Sequence, residues 1–214
     1  MNLTSIEQTQ TIAIGWAIEN KKDIISAKEF SNIWFKETEE NYRIKKVLLL
    51  HLESFNDKKE NLSKYFSTAS EQDWQRNSEW TLETVKHLAV INAAALAGSA
   101  ALLAAKIIEG TQIKIAFVFF LLGLFCAVAD FYFCSLGYQK RADKYSKLSD
   151  EIKKSNFYND LDKAFKTISF KKEIYFKISS CLGWSSVISA LIGIALITHQ
   201  LGVRSRMITH VLDE

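Results

Sequence analysis

Asp130 is the residue with the most chemistry to offer. It is a carboxylate inside a long apolar run, where it could carry a proton, line a water-filled path or form the polar core of an assembly. A carboxylate at mid-membrane costs on the order of 2.5–3.5 kcal/mol by insertion scales, so an acid at that depth calls for an interior or wet position. The other reading ends the run near Ala129 and leaves Asp130 at an interface beside Phe131, Tyr132 and Phe133. The polar candidates that could join it are Asn92, Ser99 and Lys106, spaced at seven and so on one helix face, and Ser185 and Ser186 further along.

Other chemistries find little support. There is no Gly-rich phosphate loop and no serine nucleophile elbow, and His51, His87, His199 and His210 are scattered without metal-ligand spacing. No catalytic residue, metal or cofactor is expected, and the chain does not read as an enzyme. Cys126, Cys134 and Cys181 all fall in apolar runs and read as small buried thiols without a disulfide. Mixed charges and the lack of a basic, aromatic-rich groove argue against nucleic acid as a partner.

The elements that must position these residues are three apolar stretches, at 88–108, 115–138 and 178–199. At about 1.5 Å per residue each is long enough to cross a hydrocarbon core of about 30 Å. The expected fold is all-α: an integral membrane protein with three transmembrane helices and a cytoplasmic helical bundle extending from them. The organisation that follows is an N-terminal cytoplasmic helical region at 1–85, a transmembrane hairpin at 86–138, and a basic cytoplasmic helical hairpin at 139–177. A third span at 178–199 and a tail at 200–214 complete it. The chain has no proline to break a helix. Ile12 to Ile18 is too short an apolar run for a cleaved signal peptide.

Charge sets the expected topology. Residues 139–177 carry 11 Lys/Arg against 6 Asp/Glu, so this connection is expected on the cytoplasmic side, with the N-terminus beside it. Arg204 and Arg206 on the tail argue the other way. Trp80, Tyr138, Tyr175 and Phe176 fit membrane boundaries. A helical rise of about 1.5 Å then puts Asp130 about 12 Å below the cytoplasmic end of its span, level with Ser185 and Ser186, its expected hydrogen-bond partners. Asn92 should lie nearer the headgroups, and Lys106 at the outer end of span one.

Helix faces are also legible. Gly123, Ala127, Asp130, Cys134 and Gly137 share one side of the second span, opposite Val118, Leu121, Leu122, Phe125, Val128 and Tyr132. That pattern gives one seam for close helix packing and one surface for lipid. Gly98 lies in an alanine-rich run, and Ser189 and Gly193 repeat at four, so all three spans suit close packing. Outside them, Ser26 is an expected helix cap, Thr68 with Glu71 fits a capping box, and Trp16, Trp34 and Trp74 are expected packing anchors. Leu148 and Ile152 precede a turn at Ser155-Asn156, after which Tyr158, Leu161, Phe165 and Ile168 form an apolar stripe. The bland reading is a stalk packed on the N-terminal helices. The functional one is a basic surface for anionic lipid or an acidic partner.

The segment from Lys86 to Gly98 (KHLAVINAAALAG), a tight turn at Glu109–Gln112 and the Phe-rich second span resemble the first hairpin of small membrane proteins found in bacterial prophages and anti-phage defence loci. The likeness covers residues 86–138. It implies an oligomeric effector that forms or gates a pore, or otherwise perturbs the bacterial inner membrane, under control of a cytoplasmic sensor. The partners expected are membrane lipid, further copies of the chain and a cytoplasmic regulatory protein. The competing expectations are a non-conducting anchor, adaptor or immunity protein that recruits a cytoplasmic partner, and a transporter subunit with Asp130 as its proton site. An excess of lysine over arginine, 22 to 5, fits an AT-rich bacterial genome.

Overall fold

The computed structural model describes residues 1–105, 111–167 and 174–212, apart from the side chains of 78–82, 84, 85, 167 and 204–212. Lys106, Glu109, Gly110 and Ile168 therefore lie outside the described residues, as do the side chains of Trp80, Arg204, Arg206 and His210. The described elements are helical: α1 (Ile6–Glu19), α2 (Ile24–Glu37), a 3-10 turn (Glu40–Tyr42), α3 (Lys45–Ala104), α4 (Thr111–Lys154), α5 (Tyr158–Thr167) and α6 (Ile174–Leu212). The chain forms two compact units. The first comprises Met1–Gln72 and Arg141–Lys171, the second Asp73–Lys140 and Lys172–Glu214.

In the first unit large apolar side chains make the core. The small buried residues Thr9, Ala13 and Ala17 repeat at four along α1 and give it a narrow packing face. Phe30 of α2 is fully buried, its ring centroid 5.0 Å from Phe55 of α3 and 5.1 Å from Phe157. Leu148 and Ile152 of α4 join this core, as do Leu161 and Ala164 of α5, so the expected stripe packs inward. Polar contacts fix α3 against α4: Ser63 and Ser149 hydroxyls lie 3.0 Å apart, and Ser70 Oγ donates to the Ala142 carbonyl at 2.9 Å. The N-terminus is tied to the start of α3 by an isolated antiparallel bridge, in which Leu3 donates to the Arg43 carbonyl and Lys45 to that of Met1.

The helix ends depart from the local expectations. Asp23, not Ser26, caps α2, its carboxylate accepting from the amides of Ile25 and Ser26. Ser26 is instead a buried residue of the first turn. Thr68 and Glu71 start nothing, because α3 runs through them. A capping box acts only where the preceding backbone leaves the helix, and neither glycine nor proline interrupts 45–97. Trp34 is a core anchor whose indole donates to Nδ1 of His51 at 2.9 Å, whereas Trp74 is 45% exposed. The turn at Ser155-Asn156 forms as expected, with Asp160 accepting from the amides of Asn156 and Phe157 to start α5.

The second unit contains three helices long and apolar enough to cross a membrane. They lie at Lys86–Ala104, in α4 from Thr111, and at Ile174–Val203, with mean hydropathies of 1.7, 2.3 and 1.9. Its packing is the reverse of the first unit's. Small residues and single polar groups point inward, while Val118, Leu122, Phe125, Tyr132 and Trp184 point outward, Phe125 and Trp184 at 68% exposure. Cys181 is exposed as well, which corrects its reading as a buried thiol.

Truncating Phe30 to alanine should lower the unfolding free energy of the first unit by about 3–5 kcal/mol. Leu50→Ala, on an exposed side chain, should stay within about 0.5 kcal/mol. Hydrogen exchange of the full chain against denaturant measures both.

Candidate functional site

The seam of the second unit is built from heptad-like spacing. Buried positions on α4 are Ile113, Ala116, Phe120, Gly123 and Ala127, alternating three and four, and the same face continues to Asp130, Cys134 and Gly137. On α6 the buried positions are Ser179, Ser186, Ser189, Ala190 and Gly193. Asn92 and Ser99, seven apart, are the buried polar residues of the α3 span. Such spacing keeps one stripe of each helix facing its neighbours, and small side chains on that stripe allow close approach.

Glycines take the bulky groups opposite them and so fix the register. A Cβ placed on Gly137 would lie 3.0 Å from the Phe176 ring, and one on Gly183 would lie 2.9 Å from Asp130 Oδ2. A Cβ on Gly193 would lie 2.6 Å from the Phe120 ring. Seven residues back along α4 thus match seven forward along α6, and ten more match ten. The two helices pack antiparallel in a single continuous register, and Asp130 faces Gly183.

Asp130 is partly buried and accepts a hydrogen bond from the hydroxyl of Ser179. This replaces the expected partners. Ser185 is exposed and donates to the Cys181 carbonyl of its own helix. Ser186 faces Asn92, whose Nδ2 donates to it at 3.1 Å and to the Leu88 carbonyl at 2.9 Å. The expected pairing assumed that both spans end level, at Tyr138 and Ile178. The packing of Phe176 over Gly137 shifts α6 by nearly a turn from that alignment, and Ser179 comes to the acid instead. Ser179 lies seven before Ser186, so the period itself could have found it.

Asn92 is completely buried, with its carboxamide against Gly123, where any Cβ would collide with it. Among the described residues its Oδ1 finds no hydrogen-bond donor. This makes Asn92 an interior residue of the helix seam. Ser99 is buried but uses its hydroxyl on the Ala95 carbonyl, and it borders an apolar groove of about 460 Å³ between α3 and α4. Gly98 is exposed and has nothing within 4 Å of its Cβ direction, so within one chain it is not a helix-packing residue. The structure thus brings Asp130 to Ser179 and Asn92 to Ser186. It keeps Ser99 and Ser185 apart from both pairs, and Lys106 is outside the described residues.

The arrangement offers two polar contacts along one apolar seam. The first is a carboxylate with a hydroxyl. The second is a carboxamide with a hydroxyl, about two helical turns away along α4, or roughly 10 Å at the helical rise. Compared with known proteins, the chain matches no family model, no curated protein and no solved structure. What the geometry defines is a class: an all-helical chain with three span-length apolar helices and a polar seam between them.

Gly123→Ala and Gly193→Ala should each destabilise the second unit by about 1–3 kcal/mol, because the added methyl meets a carboxamide or an aromatic ring. Gly98→Ala should not destabilise it. Thermal unfolding in detergent separates the three.

Proposed function

We propose that the chain is a multi-pass protein of the bacterial inner membrane that assembles with further copies and forms or gates a conducting path. The first unit, on the cytoplasmic side together with the N-terminus, governs that path in response to a regulatory partner or ligand. The observation that carries the reading is Asp130. A carboxylate on the packing seam of a span-length apolar helix, kept there with one hydroxyl as its partner, is an expensive group to retain for structure alone. The small exposed residues around Gly98 support assembly, since a second helix can approach closely there. A defensive role against phage follows from the resemblance of residues 86–138 and is the outermost part of the proposal.

A second reading, favoured by the fact that Ser179 already provides Asp130 with a partner inside one chain, is a non-conducting anchor that recruits a cytoplasmic protein. Replacing all three spans by unrelated apolar helices would preserve function in that case and abolish it in the first.

Induced expression should depolarise cells carrying a membrane-potential dye, and purified protein in liposomes should pass current. Asp130→Asn should reduce the current about tenfold or more while oligomers persist on native electrophoresis. Absence of depolarisation in every state, or an Asp130→Asn variant with full activity, refutes the conducting reading.

A further inference from the structure

The first unit contains a cleft that the conducting reading does not use. It lies among the end of α1, the start of α2, the middle of α3 and the end of α4, with a volume of about 500 Å³. That is within the range of small-molecule sites. Five lysines line it, Lys21, Lys22, Lys59, Lys64 and Lys153, against two carboxylates, Asp23 and Glu60. The rest of the lining is one carboxamide and three hydroxyls, with no aromatic ring and no guanidinium.

The charges are not all neutralised internally. Lys22 pairs with Glu60, and Lys153 lies 3.6 Å from Asp150. Lys59 donates to Ser26 Oγ at 3.0 Å. Burial pulls its ammonium below the ordinary lysine range, against the attraction of Asp23 and Glu60. Asp23 already satisfies the amides of Ile25 and Ser26 at the start of α2. Among the described residues, the ammonium groups of Lys21 and Lys64 have neither an ion pair nor a hydrogen bond.

Lys21 carries a second, independent signal. It closes α1 in a Schellman motif, its amide bonded to the Ile18 carbonyl and that of Lys22 to the Ala17 carbonyl. Its φ is 53°, the left-handed conformation that glycine adopts freely and lysine adopts at a cost. A charge is therefore held at a pinned backbone position where folding by itself favours glycine.

We propose that this cleft binds a phosphate-rich small anion without an aromatic base, an oligophosphate or a multiply phosphorylated polyol, with Lys21 and Lys64 as its principal contacts. Ammonium groups act as point charges on phosphate oxygens, and the hydroxyls and carboxamide suit a hydroxylated scaffold. Nothing in the lining can stack a nucleobase. The phosphates could belong to a free solute or to a lipid headgroup, and the chemistry of recognition is the same for both.

The test is calorimetric titration of the full chain in phosphatidylcholine nanodiscs with inorganic tripolyphosphate, pyrophosphate and ADP. Tripolyphosphate should bind with a Kd at or below about 100 μM, weakening with salt. ADP should bind no tighter than pyrophosphate. Lys64→Gln should weaken binding about tenfold. Lys21→Gly should weaken it similarly while the melting temperature holds or rises, a combination that a merely structural lysine would not give. Lys28→Gln and Lys36→Gln, which remove the same charge from positions on α2 outside the cleft, should leave affinity within about twofold. If the solutes fail but nanodiscs carrying phosphatidylinositol bisphosphate protect Lys21 and Lys64 from acylation while phosphatidylglycerol nanodiscs do not, a headgroup supplies the phosphates and the proposal stands. It is overturned if neither source binds, if the cleft variants bind as the parent does, if the control variants lose as much, or if ADP binds far tighter than pyrophosphate. Binding is read without any current, so its failure and that of the conducting reading are separate results.

Discussion

In a helix that is apolar on every side, the side chains that choose a neighbour are the smallest and the polar ones, because leucine and phenylalanine are equally at home against any hydrocarbon. The second unit depends on this constraint. Gly137 accepts the Phe176 ring, Gly193 accepts Phe120, and Asp130 lies over Gly183. Each contact exists at one relative position of α4 and α6, and the three agree on the same register. The polar bonds follow from it: with the helices in that alignment, Ser179 reaches the carboxylate and Ser186 reaches Asn92.

The two units are packed on opposite principles. Phe30, Trp34, Phe55, Leu148 and Ile152 are buried in the first, and lysines and glutamates lie outside, as removal of apolar area from water demands. Glycine, alanine, serine and asparagine are buried in the second, and Phe125, Ile188 and Trp184 lie outside. Apolar area is not being hidden there; instead, backbones approach closely and a few hydrogen bonds are enclosed. So large an apolar exterior is unfavourable in water and ordinary in lipid.

Asn92 illustrates what such a seam trades. Its Nδ2 makes two bonds while its Oδ1, enclosed against Gly123, finds no donor among the described residues. An unpaired buried carbonyl costs about 1–3 kcal/mol. A single asparagine on a packing stripe compensates by favouring one alignment over its neighbours, since sliding either helix by a turn would remove the bond to Ser186 and leave only the one to Leu88 of its own helix. Lys21 is a comparable case in the first unit: its left-handed backbone is costly for a lysine, and the motif around it keeps it in place.

From the sequence alone came the helical class, the positions of the three apolar stretches, the small-residue face of α4 through Gly123, Ala127 and Asp130, its outward face through Val118 and Phe125, and the turn at Ser155-Asn156. These depend on periodicity, composition and local backbone chemistry, which act within a few residues. Tertiary structure decided the partner of Asp130, the burial of Asn92, the continuity of α3 through Thr68, the exposure of Gly98 and Trp74, and the gathering of five lysines in one cleft. All but the continuity of α3 depend on which residue of one element stands opposite which residue of another. Between α4 and α6 that alignment is set by glycines and the groups they face, roughly forty to seventy positions apart, a distance over which helical period carries no information.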